Sequence, residues 1–229
     1  PTIITASGNI SHVSCNGGYN GSINLSVSGG NPYTIGGTPY TYLWSNGNTT
    51  STATMLTAGL YNVEIKDSTL CPLVIPFTIN EPSVALSVNL TINDVSCNGG
   101  NNGIITANVV GGTLPYNYSW PNGQNSQSFT NLAVGTYLVT VTDTNGCQAF
   151  ATGTVSQPSP ITIASSSLSA SCFGVSDGAL TVTPTGGVPP YTYAWSAGQS
   201  TQTAINLAAG PYSVWVTDAN GCVAQSGLL

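Results

Sequence analysis

Apolar and polar residues alternate along this chain in short runs with a period of two. Tyr137, Val139 and Val141 alternate with Leu138, Thr140 and Thr142, and Tyr61, Val63 and Ile65 alternate with Asn62, Glu64 and Lys66. Successive side chains of a strand point to opposite faces, so each run predicts a half-buried strand with Tyr and Val turned inward. Tyr116, Tyr118 and Trp120 predict a second strand with its aromatics on one face, and Ile104 to Val110 a third. No stretch carries a convincing helical period. Gly-Gly, Asn-Gly and Pro-Tyr phrases separate the runs at close, regular spacing, which predicts an antiparallel sandwich. Asp143-Thr144-Asn145-Gly146 and Asp218-Ala219-Asn220-Gly221 read as hairpin turns in which Gly supplies a positive φ. Asp67-Ser68-Thr69-Leu70 holds the same place without a glycine, so its turn is expected to differ.

These elements recur three times. Cys97, Trp120, Tyr137 and Cys147 return 75 residues later as Cys172, Trp195, Tyr212 and Cys222. Trp44, Tyr61 and Cys71 precede their second-repeat counterparts by 76 residues, while Cys15 precedes Cys97 by 82. Repeat 1 therefore carries an insertion between its first Cys and its Trp. It is visible as a doubled phrase, Gly29-Gly30-Asn31-Pro32-Tyr33 and Gly36-Gly37-Thr38-Pro39-Tyr40. Glu81-Pro82 and Gln157-Pro158 mark the boundaries, because Pro ends a ladder and stiffens a short link. The expected organisation is three tandem immunoglobulin-like β-sandwich domains at residues 1–81, 82–158 and 159–229.

Each repeat holds two cysteines, and the spacing within a repeat follows the insertion. The preferred pairing is one disulfide per domain: Cys15–Cys71, Cys97–Cys147 and Cys172–Cys222. A small domain needs such a staple. The alternative is pairing across the boundaries, Cys71–Cys97 and Cys147–Cys172, with Cys15 and Cys222 left for neighbours. The preferred pairing has one difficulty: in an immunoglobulin layout the two cysteines of a repeat could lie at opposite ends. Either pairing implies an oxidising compartment and an extracellular location.

Composition then removes function classes. Charged residues make up 3% of the chain, with Lys66 as the one basic residue and a net charge of -6. A phosphate-binding footprint is absent, which argues against nucleic acid and anionic membrane surfaces as partners. No apolar run approaches the roughly 20 residues needed to span a bilayer. The chain opens at Pro1 without a basic or apolar leader, so it is expected to be a mature or excised fragment.

Five phrases of repeat 2 have counterparts in the other repeats: Val95-Ser96-Cys97-Asn98-Gly99-Gly100, Gly111-Gly112-Thr113-Leu114-Pro115-Tyr116, Tyr118-Ser119-Trp120, Leu132-Ala133-Val134-Gly135-Thr136-Tyr137 and Val141-Thr142-Asp143-Thr144-Asn145-Gly146-Cys147. They resemble the SprB repeat of very large surface adhesins of gliding bacteria, with a further likeness to polycystic-kidney-disease-type and other immunoglobulin-like domains. The resemblance implies export to the cell surface and a stalk or adhesive array. It supplies no catalytic site.

The candidate chemistry is sparse. A Ser/His/Asp site needs a His, and the single His12 faces Asp94 and Ser169 at its counterpart positions, so no shared base exists and no catalytic residue is expected. Asp67, Asp143 and Asp218 share one position. They read as turn residues that accept backbone N–H bonds, and alternatively as Ca²⁺ ligands, although each loop offers one carboxylate. Asp94 and Asp177 add carboxylates near the first Cys at unmatched positions. No metal and no cofactor is expected. Trp215 falls on the outward side of its strand between Val214 and Val216, and is a candidate contact for a surface polysaccharide, a protein or a neighbouring domain. Asn9, Asn20, Asn24, Asn48, Asn89 and Asn117 head Asn-x-Ser/Thr phrases that arise readily by chance in such a chain. Ser68, in Asp67-Ser68-Thr69, resembles a short bacterial O-glycan acceptor. Scarce Lys at strand edges leaves self-association into a filament as a rival reading.

Overall fold

The structure is a computed structural model that describes residues 2–33 and 39–229. Of the second half of the doubled phrase, Gly36-Gly37-Thr38 lies outside the described residues, while Pro39 and Tyr40 lie within them. The described residues form eighteen strands and no helix, so no helix is long and apolar enough to cross a membrane.

Repeat 1 contributes β1 (Thr2–Ser11), β2 (Gly21–Gly30), β3 (Thr41–Trp44), β4 (Thr52–Leu56), β5 (Gly59–Lys66) and β6 (Pro72–Ile79). They make two antiparallel sheets, ordered β1-β2-β4 and β3-β5-β6. Repeat 2 contributes β7 (Ser87–Asn93), β8 (Gly103–Val110), β9 (Asn117–Ser119), β10 (Ser128–Leu132), β11 (Gly135–Thr142) and β12 (Gln148–Val155). Repeat 3 contributes β13 (Thr162–Leu168), β14 (Gly178–Thr185), β15 (Thr192–Trp195), β16 (Thr203–Leu207), β17 (Val214–Thr217) and β18 (Val223–Gln225). The sheet orders repeat: β7-β8-β10 and β9-β11-β12, then β13-β14-β16 and β15-β17-β18. This is the split of an immunoglobulin-like sandwich that lacks the strand between its third and fifth.

Chain contacts divide the molecule into two compact units. One is Pro1–Asn89 with Asn108–Ser126 and Val139–Ala151; the other is Leu90–Ala107 with Gln127–Leu138 and Thr152–Leu229. In the first unit, Ile4, Ile23, Leu25, Ala53 and Leu56 of one sheet meet Trp44, Val63, Ile65 and Ile79 of the other in a single core. In the second, Leu180, Val182, Ala204 and Leu207 meet Trp195, Val214 and Val216. The alternation predicted for the fifth strand is observed: Val63, Ile65, Val139, Val141, Val214 and Val216 are all 0% exposed. Burying each of these side chains contributes about 1.5–3 kcal/mol.

Two further features mark the fold. Trp44, Trp120 and Trp195 are buried near the end of the third strand, and each indole N–H donates to a carbonyl six residues on, in Thr50, Ser126 and Thr201. Tyr61, Tyr137 and Tyr212 donate their hydroxyls to the carbonyls of Thr57, Ala133 and Ala208, each four residues upstream. This is the tyrosine corner of immunoglobulin-like domains.

The topology fixes which loops share an end. β1 and β4 both run antiparallel to β2, so they point the same way. Residues 45–51 join β3 to β4 through a turn without forming a strand. The β5–β6 loop therefore returns to the end where β2 finishes, as the Asp67 bond to Asn31 records. The β1–β2 loop lies at the other end, where Ser11 pairs with Ser22. The ten residues of β2 separate the two by about 30 Å at roughly 3.3 Å per residue.

Candidate functional site

The chemistry of this chain is concentrated in two loops that every repeat presents, one at each end. At the trailing end is the first-cysteine loop, Ser14 to Asn20 in repeat 1. Gly17 at φ +73° lets it turn back, so that Gly18 N–H reaches Cys15 O at 2.9 Å. Asn20 locks it: its Oδ1 accepts Ser14 N–H at 3.0 Å and its Nδ2 donates to Ser14 Oγ at 2.7 Å. Ser96, Cys97, Gly100 and Asn102 repeat every one of these bonds. In repeat 3 Asp177 takes the Asn place and accepts Ser171 N–H at 2.9 Å. That bond accounts for its unmatched carboxylate, and the Ser171 side-chain bond is the leading cause that lowers its pKa.

The leading end carries the aspartate turn and the second cysteine. Asp143 Oδ1 accepts the N–H groups of Asn145 and Cys147, both at 2.9 Å, and Oδ2 accepts Thr113 N–H at 2.9 Å. Asp218 does the same for Asn220, Cys222 and Val188, and Asp67 for Thr69, Cys71 and Asn31. Each carboxylate is thus occupied by three backbone donors. Among the described residues no group of three His, Cys, Asp or Glu is placed to hold a metal. The Asn31 N–H, then the Thr69 hydroxyl, hold the Asp67 carboxyl below the usual carboxylate range against its burial. Burial opposes ionisation of Asp218, but the N–H groups of Val188, Cys222, Asn220 and Gly221 outweigh it and lower its pKa. Gly112 makes room for the arrangement, because a Cβ there would stand 2.9 Å from Asp143 Oδ2 at φ +66°.

Part of the expected difference in the repeat 1 turn is observed: Asp143 and Asp218 N–H close their turns on Cys147 and Cys222 O at 3.0 Å, a bond absent at Asp67, while the rest of the turn is kept. Leu70 N–H bonds Asp67 O at 2.9 Å as Gly146 bonds Asp143 O, and Leu70 adopts φ +62° where Gly146 has +84°. The three bonds to the aspartate outweigh the cost of a left-handed leucine.

The cysteine pairing is also corrected, and with it the expectation of one disulfide inside each domain. The structure joins Cys15 to Cys147 and Cys97 to Cys222, with Cα separations of 5.7 and 5.5 Å. Cys15–Cys71, Cys97–Cys147 and Cys172–Cys222 do not form, nor do the alternative Cys71–Cys97 and Cys147–Cys172. The reason is topological: the cysteines of one repeat sit at opposite ends of a sandwich, whereas a disulfide needs Cα atoms within about 7 Å. Cys15 and Cys97 instead reach the second cysteine of the following repeat. Cys71 and Cys172 are left as exposed thiols.

Both links carry the same supporting bonds. Asn145 Nδ2 donates to Ser14 O at 3.2 Å, and Asn220 Nδ2 to Ser96 O at 2.9 Å. Asn16 and Asn98 donate to the carbonyls of the linker prolines Pro82 and Pro158. Gly17 and Gly99 donate N–H to the side chains of Glu81 and Gln157. The Asn-Gly phrase that follows each first cysteine therefore also fastens the linker. The sequence signal for this role was the recurrence of both Asn16 and Asn98 one residue after a cysteine.

The remaining candidates stand apart. Trp215 lies on β17, 39% exposed, opposite Ala194 and Gln225. Ser68 is half-buried and donates its hydroxyl to Asn31 O at 2.6 Å. His12 Nδ1 accepts Asn80 N–H, the place where Asp94 accepts Ser156 N–H. Lys66, the one basic residue, pairs with Glu64 at 2.8 Å. A cavity of about 480 Å³ beside Cys172 is lined by Leu168, Leu180, Leu207 and Tyr212 among others.

Comparison with known proteins finds no match among curated proteins. Among solved structures, the chain is similar to a C-terminal fragment of intimin in complex with the intimin-binding domain of its translocated receptor, at 18% identity over 71% of this chain and 66% of that one, with a TM-score of 0.36. It is similar to the I9-I11 tandem of titin at 9% identity over 97% of both chains, with a TM-score of 0.36. It is similar to the eight N-terminal immunoglobulin domains of Down syndrome cell adhesion molecule at 12% identity, with a TM-score of 0.33; the match covers 82% of this chain and 31% of that one. The family model of the SprB repeat matches residues 7–49, 89–125 and 164–200, one stretch in each repeat and together just over half of the chain. The chain belongs to the SprB repeat family.

Proposed function

We propose that this chain is a non-catalytic repeat segment of a large secreted cell-surface adhesin, serving outside the cell as an extended stalk or adhesive array in attachment and gliding motility. Its working units are three sandwich modules at 1–81, 82–158 and 159–229. One observation carries the reading: a disulfide joins each repeat to the next at both links, with the same linker bonds around it. Force along such a chain passes between repeats through covalent bonds as well as through the linker. Extracellular redox conditions preserve the bonds. Small-angle scattering on the monomer tests the reading. Three modules in a row, each about 35 Å long from strands rising roughly 3.3 Å per residue, give a radius of gyration near 30 Å. A compact chain of this length gives about 17 Å. A value below about 20 Å overturns the stalk.

A second reading, contact with a surface polysaccharide or protein, rests on Trp215. Its outward, partly exposed indole departs from Glu64 and Thr140 at the equivalent positions.

A further inference from the structure

We infer that the two disulfides reroute tension through the chain, so that a pull on repeat 2 falls on its central strands β8 and β11 and bypasses its edge strands β7 and β12. The inference rests on the stalk reading only in taking tension as the working load. The route itself is set by connectivity.

Through the linkers alone, tension enters repeat 2 at the start of β7 and leaves at the end of β12. Both are edge strands, because the sheets are ordered β7-β8-β10 and β9-β11-β12. An edge strand is held by one ladder of hydrogen bonds, and losing that ladder frees it.

The disulfides supply a second route. Cys147 takes the bond from Cys15, and Cys97 passes one to Cys222. Cys147 stands five residues after β11 ends at Thr142, and Cys97 six residues before β8 begins at Gly103. β8 and β11 are the middle strands of their sheets, each with a ladder on both sides. Both run from the trailing end to the leading end, since the first-cysteine loop precedes β8 and the second-cysteine turn follows β11. A pull between Cys97 and Cys147 draws β8 by its first residue and β11 by its last, in opposite directions along their own axes. The ladders on each strand are then loaded together in shear instead of being opened bond by bond.

The cysteines are seated to take the pull first. Their Cα atoms, 5.7 and 5.5 Å apart across the two bonds, cannot separate beyond about 7 Å while the disulfide lasts. The segments behind them are tightened: Asn102 holds Ser96 by two bonds, and Asp143 accepts Cys147 N–H while its own N–H bonds Cys147 O. The linkers have chain to give. Residues 80–86 and 156–161 lie between strands, and they are tied to the first-cysteine loops by the single bonds from Asn16, Gly17, Asn98 and Gly99. Those hydrogen bonds yield before a disulfide does, and the bridge is left as the taut path.

Connectivity also limits how far the chain can lengthen. Along the backbone 207 residues separate Cys15 from Cys222. The shortest covalent path crosses one disulfide, runs back along the 50 residues from Cys147 to Cys97, and crosses the other. At roughly 3.5 Å per residue the limit falls from about 720 Å to about 175 Å. Residues 16–96 and 148–221 drop out of the taut path.

The test pulls the full chain in an optical trap through handles fused to both ends, with Cys71 and Cys172 alkylated so that neither exchanges with the two bonds. The oxidised chain should reach complete extension at about 250 Å, and the same chain in dithiothreitol at about 800 Å. The step that frees residues 97–147 should need about twice the force of the strongest step of the reduced chain, since each pulled strand has two ladders in place of one. A second arm separates the route from any stability the disulfides add. In the variant Cys15→Ser, Cys71→Ser, Cys172→Ser and Cys222→Ser, the two remaining thiols serve as handle sites. Pulling through Cys97 and Cys147 should again need about twice the force of pulling the same variant through its ends. Extension of the oxidised chain well beyond about 250 Å overturns the covalent route. Equal or lower force in the Cys97–Cys147 geometry overturns the shift to the central strands. The trap supplies the tension itself, so these outcomes do not depend on the scattering result, and failure here leaves the stalk reading separately testable.

Discussion

Replacing Asp143 by Asn puts the most weight on the site as described. The carboxylate of Asp143 accepts three backbone N–H groups, from Thr113, Asn145 and Cys147, all at 2.9 Å, and the residue is 2% exposed. An amide offers one oxygen in place of two. If that oxygen keeps the turn donors, the NH₂ faces Thr113 N–H and leaves a donor without an acceptor, at about 1–3 kcal/mol. The bonds that survive lose their charge assistance, which roughly halves each. The sum is about 2–4 kcal/mol. For a module of this size 1 kcal/mol moves Tm by about 4–8 °C, so the drop is about 10 °C or more. Scanning calorimetry of the full chain reads it, with amide exchange at Thr113 and Cys147 to place it. Runs in calcium and in chelator separate the two roles of the aspartate: a structural turn gives the same loss in both. A variant that melts within about 2 °C of the parent, or a parent whose Tm rises with calcium while the variant's does not, refutes the turn reading.

Two other outcomes follow from the same geometry. The carboxyls of Asp67 and Asp218 are held below their ordinary value, so their contribution is complete above the unfolded pKa of about 3.9 and is lost as pH falls through the lower folded values; urea midpoints measured from pH 5 down to pH 2 should decline, and a flat profile counts against it. Met55, 72% exposed, holds φ +57° where Asn131 and Asn206 hold +60° and +55°, so Met55→Asn should stabilise the chain by about 0.5–1 kcal/mol in chemical denaturation, because Asn tolerates the left-handed region better than Met; a loss of stability contradicts it.

The strands were legible because burial on one face writes a period of two. Val63, Ile65, Val139 and Val141 could be placed inward from the alternation alone. The aspartate turn was legible from Asp and Gly at fixed offsets, and where Gly was missing the same turn formed around Leu70. The cysteine pairing was not legible in the same way. Within a repeat the first cysteine follows one strand and the second follows five, an odd number each time. Strands that simply reverse would bring both to the same end. Residues 45–51 form a turn rather than a strand, so β3 and β4 run the same way, and that moves the second cysteine to the far end. The linker role of Asn16 and Asn98 was hidden for a related reason: a side chain that caps a carbonyl some sixty residues away leaves no periodic trace in the sequence.

The pairing of each first cysteine with the second cysteine of the following repeat also bears on how the gene can change length. Deleting residues 98–172, one whole period, would bring Cys97 directly before Phe173 and leave Cys15, Cys71, Cys97 and Cys222. Cys15 would then meet Cys222 as it now meets Cys147, and one cysteine of each kind would again stand unpaired. Unequal recombination between repeats, in either direction, therefore leaves every internal cysteine with a partner. Breakpoints out of register by part of a repeat would not. The covalent pattern thus permits drift in the number of repeats and selects against drift in their phase.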